Sequence, residues 1–239
     1  MQEQGPTAAE IADRIHALPV RNTPTVRAVR RQVSPQLRRA SPGFVMALAR
    51  QLIADYGCRG VAYELIKNHK GAFERLGQSE LEELGQGMDS WGAVDAFARI
   101  LAGPAWLNGQ VPDELIHTWA RSEDRWWRRA ALVCTVALNV RSHGGLGDVP
   151  RTLAVCRLLV GDHDDMVVKA MSWALRELVV HDPEAVVGFL AEHDDALAAR
   201  VKREVRNKLA TGLKTPRRSR AGQSRAGQSR GQRADRSRP

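Results

Sequence analysis

The chain has 239 residues, enough for one large domain or two small ones, and an ordinary hydrophobic fraction of 43% that can bury a core. Its net charge of +9 is concentrated at one end: from Lys214 onward nine Lys/Arg stand against a single acid, Asp235, and the residues before it are close to neutral. Any basic surface on the body must therefore come from segregation of charge rather than excess. Three cysteines, Cys58, Cys134 and Cys156, are odd in number and far apart, which excludes a disulfide framework and any metal-ligand spacing and reads as buried reduced thiols. The seven histidines form no HExxH or paired cluster, so no metal and no cofactor is expected. The opening MQEQGPTAAEIADR has neither the basic start nor the apolar run of a signal peptide, and no stretch approaches roughly 18 apolar residues. A cytoplasmic protein without membrane contact is expected.

Apolar residues recur at helical spacing over about 7–18, 24–33, 43–55, 58–75, 79–87, 91–103, 113–121, 125–141, 151–160, 166–180, 184–193 and 196–210. Thr23-Pro24, Ser41-Pro42 and Asp182-Pro183 each read as an N-cap followed by proline at the first helical position, with Pro112 and Pro150 as looser cases. Ser79 with Glu82 fits a capping box. Alternating strand patterns are absent. The body, residues 1–213, is thus expected to be one all-α domain, either a closed bundle or a solenoid of stacked helix pairs. Trp91, Arg129 and Trp173 follow one another at intervals of about 40 residues, the period of a HEAT-type repeat, which favours the solenoid. A solenoid has a concave face suited to a long partner. Residues 214–239 hold the near-repeat SRAGQSRAGQSRGQ and no large apolar residue, so they are expected to be a disordered Arg-rich tail, either a polyanion tether or a solubilising extension.

Three helices present faces that their cores do not need. Trp91 and Asp95 share a face, while Val94, Phe97 and Leu101 define another. Arg125 and Arg129 share one, beside the stripe of Leu132, Val136 and Val140. Lys169, Trp173 and Arg176 share one apart from Val168, Met171, Leu175 and Leu178. Indole faces attract cations, guanidinium groups grip phosphates, and a carboxylate stabilises adjacent positive charge. A partner that is cationic at one point and phosphate-bearing around it fits an alkylated purine nucleotide in DNA. By contrast GGLGDV at 144–149 has no strand before it and no GK[ST] after it, and reads as a connecting loop. His163, Asp164 and Asp165 read as capping residues at a helix start.

The order NTPTVRAVRR, SPGFVMALARQLIADYGCRGVAYELIKNH, DSWGAVDAFA, WARSEDRWWRRAALV and KAMSWALRE, from about Arg21 to Leu209, resembles the AlkD-type DNA alkylation repair proteins, which are HEAT-like-repeat DNA glycosylases. The resemblance implies a curved right-handed solenoid of HEAT-like repeats whose concave face takes double-stranded DNA. It implies hydrolysis of the N-glycosidic bond of cationic 3- or 7-alkylpurines without deep-pocket base flipping. Repeats stacked in one chain can be stable alone, so a monomer is expected, associated with the nucleoid through DNA binding. Matching positions give Asp95 the catalytic role, Trp91 and Trp173 the lesion contacts, and Arg129, with Arg128 one register off, the phosphate contact; Lys169 and Arg176 complete the expected DNA-binding set. Around Trp91 the chain has Ser90 and Gly92 where the family often has Asn and Asp. Two other readings stay open at this point: a noncatalytic DNA-structure-binding relative, and a HEAT-type protein scaffold whose tryptophans are interface anchors.

Overall fold

A computed structural model describes residues 5–216, so the tail beyond Pro216 lies outside the described residues. Every regular element among the described residues is a helix. In chain order they are α1 (Ala8–His16), α2 (Thr23–Leu37), α3 (Pro42–Ala54), α4 (Arg59–Lys67), α5 (Lys70–Phe73), α6 (Gln78–Gly85), α7 (Trp91–Phe97), α8 (Gly103–Leu107), α9 (Asp113–Ala120), α10 (Arg125–Asn139), α11 (Val149–Leu158), α12 (Asp165–Leu178), α13 (Pro183–Glu192) and α14 (Ala199–Thr211). A π-helical turn, Ala98–Ala102, joins α7 to α8, and a short 3-10 turn follows α10.

Packing follows two rows. In one, α2 packs on α4, α4 on α7, α7 on α10, α10 on α12, and α12 on α14. Behind it α1 packs on α3, α3 on α5, and α9 on α11, while α3 backs α4 and α9 backs α10. Apolar stripes face the seam between the rows, so a single core cluster runs from Ala8 to Val205. This is the arrangement of an α-helical repeat protein.

Local chemistry sets the starts. Ser41 accepts from Phe44 N–H at 3.2 Å and Asp182 from Ala185 N–H at 2.8 Å, as the Ser-Pro and Asp-Pro steps lead one to expect. The Thr23-Pro24 reading shifts by one residue. Asn22 is the cap, exchanging side-chain bonds with Thr25, and Pro24 occupies the first turn. The expected Ser79–Glu82 box is replaced by Glu80, whose carboxylate accepts from Gly77 N–H at 3.1 Å one turn earlier. The single helix expected over 58–75 is two. Asn68 ends the first and His69 caps the second: its Nδ1 accepts from Ala72 N–H at 3.0 Å, which leaves Nε2 to donate to Ala40 O at 3.1 Å.

The helix expected over 91–103 runs on to Leu107 because the π-turn carries it past Pro104. Gly103 N–H donates to Ala98 O, five residues back. That wider turn suits a proline, which has no N–H to give and whose ring collides with the carbonyl four residues earlier in a regular helix. At Gly103 the helix presses on α10: a Cβ there would lie 2.8 Å from Ala137 Cβ and 2.8 Å from Cys134 O. The two helices run side by side in the same direction, with Asp95 beside Arg129 and Gly103 beside Cys134 and Ala137. Beneath them Phe97 contacts Tyr63, Trp119 and Trp127, with ring centroids 5.8–5.9 Å apart. Each such aromatic pair contributes about 0.5–1.5 kcal/mol beyond burial, so the base of α7 is fixed against α4, α9 and α10.

Candidate functional site

The front row of helices supplies the site. Trp91 opens α7 after Ser90, whose hydroxyl accepts from Ala93 N–H at 3.4 Å. Trp91 is 62% exposed, whereas Trp106 and Trp119 are buried and Trp126, Trp127 and Trp173 are half-buried. An exposed indole that the core does not use is available to a partner.

One turn on, Asp95 faces α10. Arg129 donates from Nε to Oδ1 and from Nη2 to Oδ2, both at 2.9 Å, in a bidentate pair. Its third nitrogen, Nη1, donates to Met166 O at 2.6 Å, so Arg129 also ties α10 to α12. Only 6% of the Arg129 side chain is accessible, against 17% for Asp95. The arginine is therefore buried beneath the carboxylate. A carboxylate has about four acceptor sites, and the guanidinium takes two. The other two remain for a group arriving from solvent.

Trp91, Asp95, Arg129, Lys169, Trp173, Arg176 and Lys214 line one open depression of about 320 Å³. Six of the residues singled out from sequence thus come together, and Lys214 joins them. Trp173 is held by an indole N–H bond to Glu177 at 2.9 Å and lies under the Arg99 guanidinium, 5.3 Å from its ring centroid. Lys169 pairs with Asp165 at 2.6 Å. Arg176 donates to Ser172 Oγ, which donates to Glu204 Oε2 at 2.6 Å, and the Lys214 ammonium reaches the same carboxylate at 3.4 Å. Burial acts to raise the Glu204 carboxyl, but the Ser172 bond, Lys214 and Arg176 outweigh it and hold the group below its ordinary value.

Arg128 is placed elsewhere. Its guanidinium donates to Asp162 at 2.7 Å and to the carbonyls of Ser122 and Glu123, fixing the loop that leads into α10. Arg125 stacks on Trp126 and pairs with Asp164 at 3.5 Å. Asp164 caps α12 by accepting from Met166 N–H at 2.8 Å, as its position at a helix start suggests. Of the 144–149 segment, residues 144–148 form a loop closing the end of α10, with Gly147 N–H bonded to Leu138 O, and Val149 opens α11.

The depression does not stand alone. It shares Trp91, Asp95 and Trp173 with a second of about 590 Å³ that reaches Arg21, Arg27, Glu64 and Arg99. That one shares Arg27, Glu64 and Arg99 with a third lined by Arg30 and Lys67, which shares Arg30 and Asn68 with a fourth lined by Arg31, Arg38, Arg39 and Lys70. The acids among these lining residues are Glu64 and Asp95, and both are ion-paired to arginine. A body that is nearly neutral in total therefore segregates positive charge along one connected track. Sequence reasoning missed Arg99, although its place four residues beyond Asp95 on the same helix was a usable signal. It missed Arg27, Arg30, Glu64 and Lys214 because only the packing of distant helices brings them in.

Gly92 lies on the wall of the second depression, and a Cβ there would meet nothing within 4 Å. Its departure from the expected polar residue leaves open space rather than a distorted helix. Cys134 and Cys156 are free and buried; burial pushes both thiols up, Cys156 to about 12, which removes them as nucleophiles at neutral pH. Cys58 is half-buried. No group of three or more His, Cys, Asp or Glu is arranged to hold a metal among the described residues. No described helix is long and apolar enough to cross a membrane.

An all-helical repeat protein with a carboxylate and two tryptophans lining one depression of an arginine-lined track has the makings of a polyanion-binding enzyme. The chain belongs to the DNA alkylation repair enzyme family, whose model matches residues 12–209. It is thus an enzyme of DNA repair. A search of the curated proteins gives no match.

Proposed function

We propose that the protein is a monofunctional DNA glycosylase that hydrolyses the N-glycosidic bond of cationic 3- or 7-alkylated purines in duplex DNA. The observation that carries this reading is the Asp95 carboxylate, presented with two unused acceptor sites in the open, basic depression that Trp91 and Trp173 also line. The helices form a curved right-handed solenoid whose concave face is the arginine-lined track, and residues 1–213 are the glycosylase domain. The protein acts as a monomer, in the cytoplasm and at the nucleoid, without cofactor or metal.

Alkylation at N3 or N7 places a positive charge on the purine. When the glycosidic bond breaks, its electron pair moves to the base and cancels that charge, so the leaving group needs no proton. Positive charge develops instead on the sugar. Asp95 stabilises that oxocarbenium-like centre and orients the water that adds to C1′. The water's extra proton leaves to the carboxylate or to solvent, and an abasic site remains. Trp91 and Trp173 hold the deoxyribose and the cationic base from the two sides. Lys169, Arg176 and Lys214 take phosphates at the rim. Arg129, being buried and bound at three points, serves as a positioning residue for Asp95 rather than as the phosphate grip its sequence position implies. The shallow, open shape suits a lesion that stays against the surface, unlike the pocket-flipping scheme of many base-processing enzymes.

The test is chromatographic detection of free 7-methylguanine after incubation with methylated duplex DNA. The expected result is release of the alkylated base alone, with strands intact until alkali is added. DNA binding without any base release overturns the catalytic reading in favour of a noncatalytic relative.

A further inference from the structure

The track holds a second carboxylate, and the order of burial around it is reversed. Glu64 on α4 accepts from Arg27 Nε at 2.6 Å and from Arg30 Nε at 3.3 Å. Arg27 and Arg30 stand three residues apart on α2, on one face of the helix, and both reach across to α4. In the Asp95 pair the arginine is the deeper partner and the carboxylate is presented. Here the Glu64 side chain is 11% accessible, against 18% for Arg30 and 50% for Arg27, so the acid is the deeper partner and the guanidinium groups are presented.

A buried glutamate needs a paired charge, and one arginine would supply it. Two arginines on one acid leave the cluster with an excess of positive charge. Each guanidinium engages Glu64 through Nε, and its Nη nitrogens bond no other described residue. A guanidinium is a planar fork, so a phosphate taken on the edge formed by Nη1 and Nη2 has the arginine between it and Glu64. The cluster lies where the depressions join. Arg27 and Glu64 line the one that contains Trp91 and Asp95, both arginines and Glu64 line the next, and Arg30 lines the one beyond.

We propose that Glu64 is a positioning residue of the DNA interface: it holds Arg27 and Arg30 so that their outer edges bind phosphates of the strand that runs past Asp95. The proposal rests on the DNA reading given above and adds a role for an acid within a basic track. Ordering two long side chains before the duplex arrives removes an entropy cost that binding would otherwise carry. The negative charge of Glu64 acts against phosphate, but from behind both guanidinium groups. Counting charges alone therefore predicts that loss of the acid tightens DNA binding, and the positioning role predicts the opposite sign.

The test measures binding of the full chain and of Glu64→Gln to duplex DNA carrying 7-methylguanine, as a function of salt, beside single-turnover base release. Although it is more positive, Glu64→Gln should bind about tenfold more weakly at about 0.1 M salt, with a slope shallower by about one to two, since each phosphate contact contributes about 0.9. The loss should appear in the half-saturating protein concentration rather than in the rate at saturation. Arg27→Lys, at a half-exposed position that the fold tolerates, keeps the charge but lacks the fork: its single nitrogen is drawn to Glu64 and is no longer presented. It too should bind several-fold more weakly, and it decides the matter alone if Glu64→Gln does not fold. Tighter binding by Glu64→Gln with a steeper slope would mean that the acid merely offsets charge, and parent-like binding by Arg27→Lys or by both variants that it only ties α2 to α4. A loss confined to the saturated rate would put Glu64 at the chemistry. Each of these overturns the positioning role while the DNA reading stands; absence of salt-dependent duplex binding by the parent overturns both.

Discussion

At the scale of single residues, Asp95 and Arg129 divide the work between chemistry and support. Arg129 binds Asp95 through two nitrogens and Met166 O through a third, and its side chain is 6% accessible. Arg129→Met should therefore lower stability by about 2–4 kcal/mol in urea denaturation, because it strands a part-buried carboxylate. The salt slope of DNA binding should stay unchanged. A slope reduced by about one with stability intact would instead make Arg129 a phosphate contact. Gly92 offers a quieter test. It sits in the first turn of α7 with nothing near its missing Cβ, so Gly92→Ala should raise stability by up to about 1 kcal/mol through lower unfolded-state entropy and better helix propensity. A fall in thermal midpoint would show that the position is constrained in a way the open space does not reveal.

At the scale of elements, the site depends on how α7 and α8 lie on α10. Gly103 is a close approach, and Ala there meets Ala137 Cβ and Cys134 O at 2.8 Å. Backbone cannot yield as a flexible side chain does, so Gly103→Ala should destabilise by about 1–3 kcal/mol, measured by urea denaturation, and loosen the Asp95–Arg129 register. A neutral result would mean that the helices slide apart freely, contrary to the packing described. At the other end of the site, Glu204 joins Ser172 on α12 to Lys214 beyond α14. Its carboxyl is depressed in the fold, so its stabilising effect is present above the ordinary value of 4.5 and lost as pH falls below it. Between pH 6 and 3.5 the parent should lose more stability than Glu204→Gln; equal losses would show that Glu204 carries none of the acid sensitivity.

At the scale of the whole molecule, much of the architecture was legible because amphipathic spacing and proline-marked starts are local signals. Val94, Phe97 and Leu101, and likewise Val168, Met171, Leu175 and Leu178, are buried as their spacing demands. What was not legible depended on tertiary contacts. The π-turn that carries α7 past Pro104 answers to packing on α10, and the break at His69 depends on Ala40 from a distant turn. Trp91, Asp95, Arg129, Lys169, Trp173 and Arg176 could be found as faces of three helices, and they do line one depression. The burial of Arg129 and the commitment of Arg128 to Asp162 could not, because both arginines look alike in the run Trp126-Trp127-Arg128-Arg129. Only the turn of α10 decides which of them points at the carboxylate.

The measurement that bears most directly on the central claim is single-turnover release of 7-methylguanine from alkylated duplex DNA, by the parent and by Asp95→Asn at matched DNA occupancy. Loss of a well-placed charged group at a developing cation commonly lowers the rate on the order of 10²-fold or more. The expected result is that loss, with DNA affinity retained. Release at an undiminished rate from Asp95→Asn, or none from the parent despite full occupancy, would contradict the assignment of Asp95 to the chemistry.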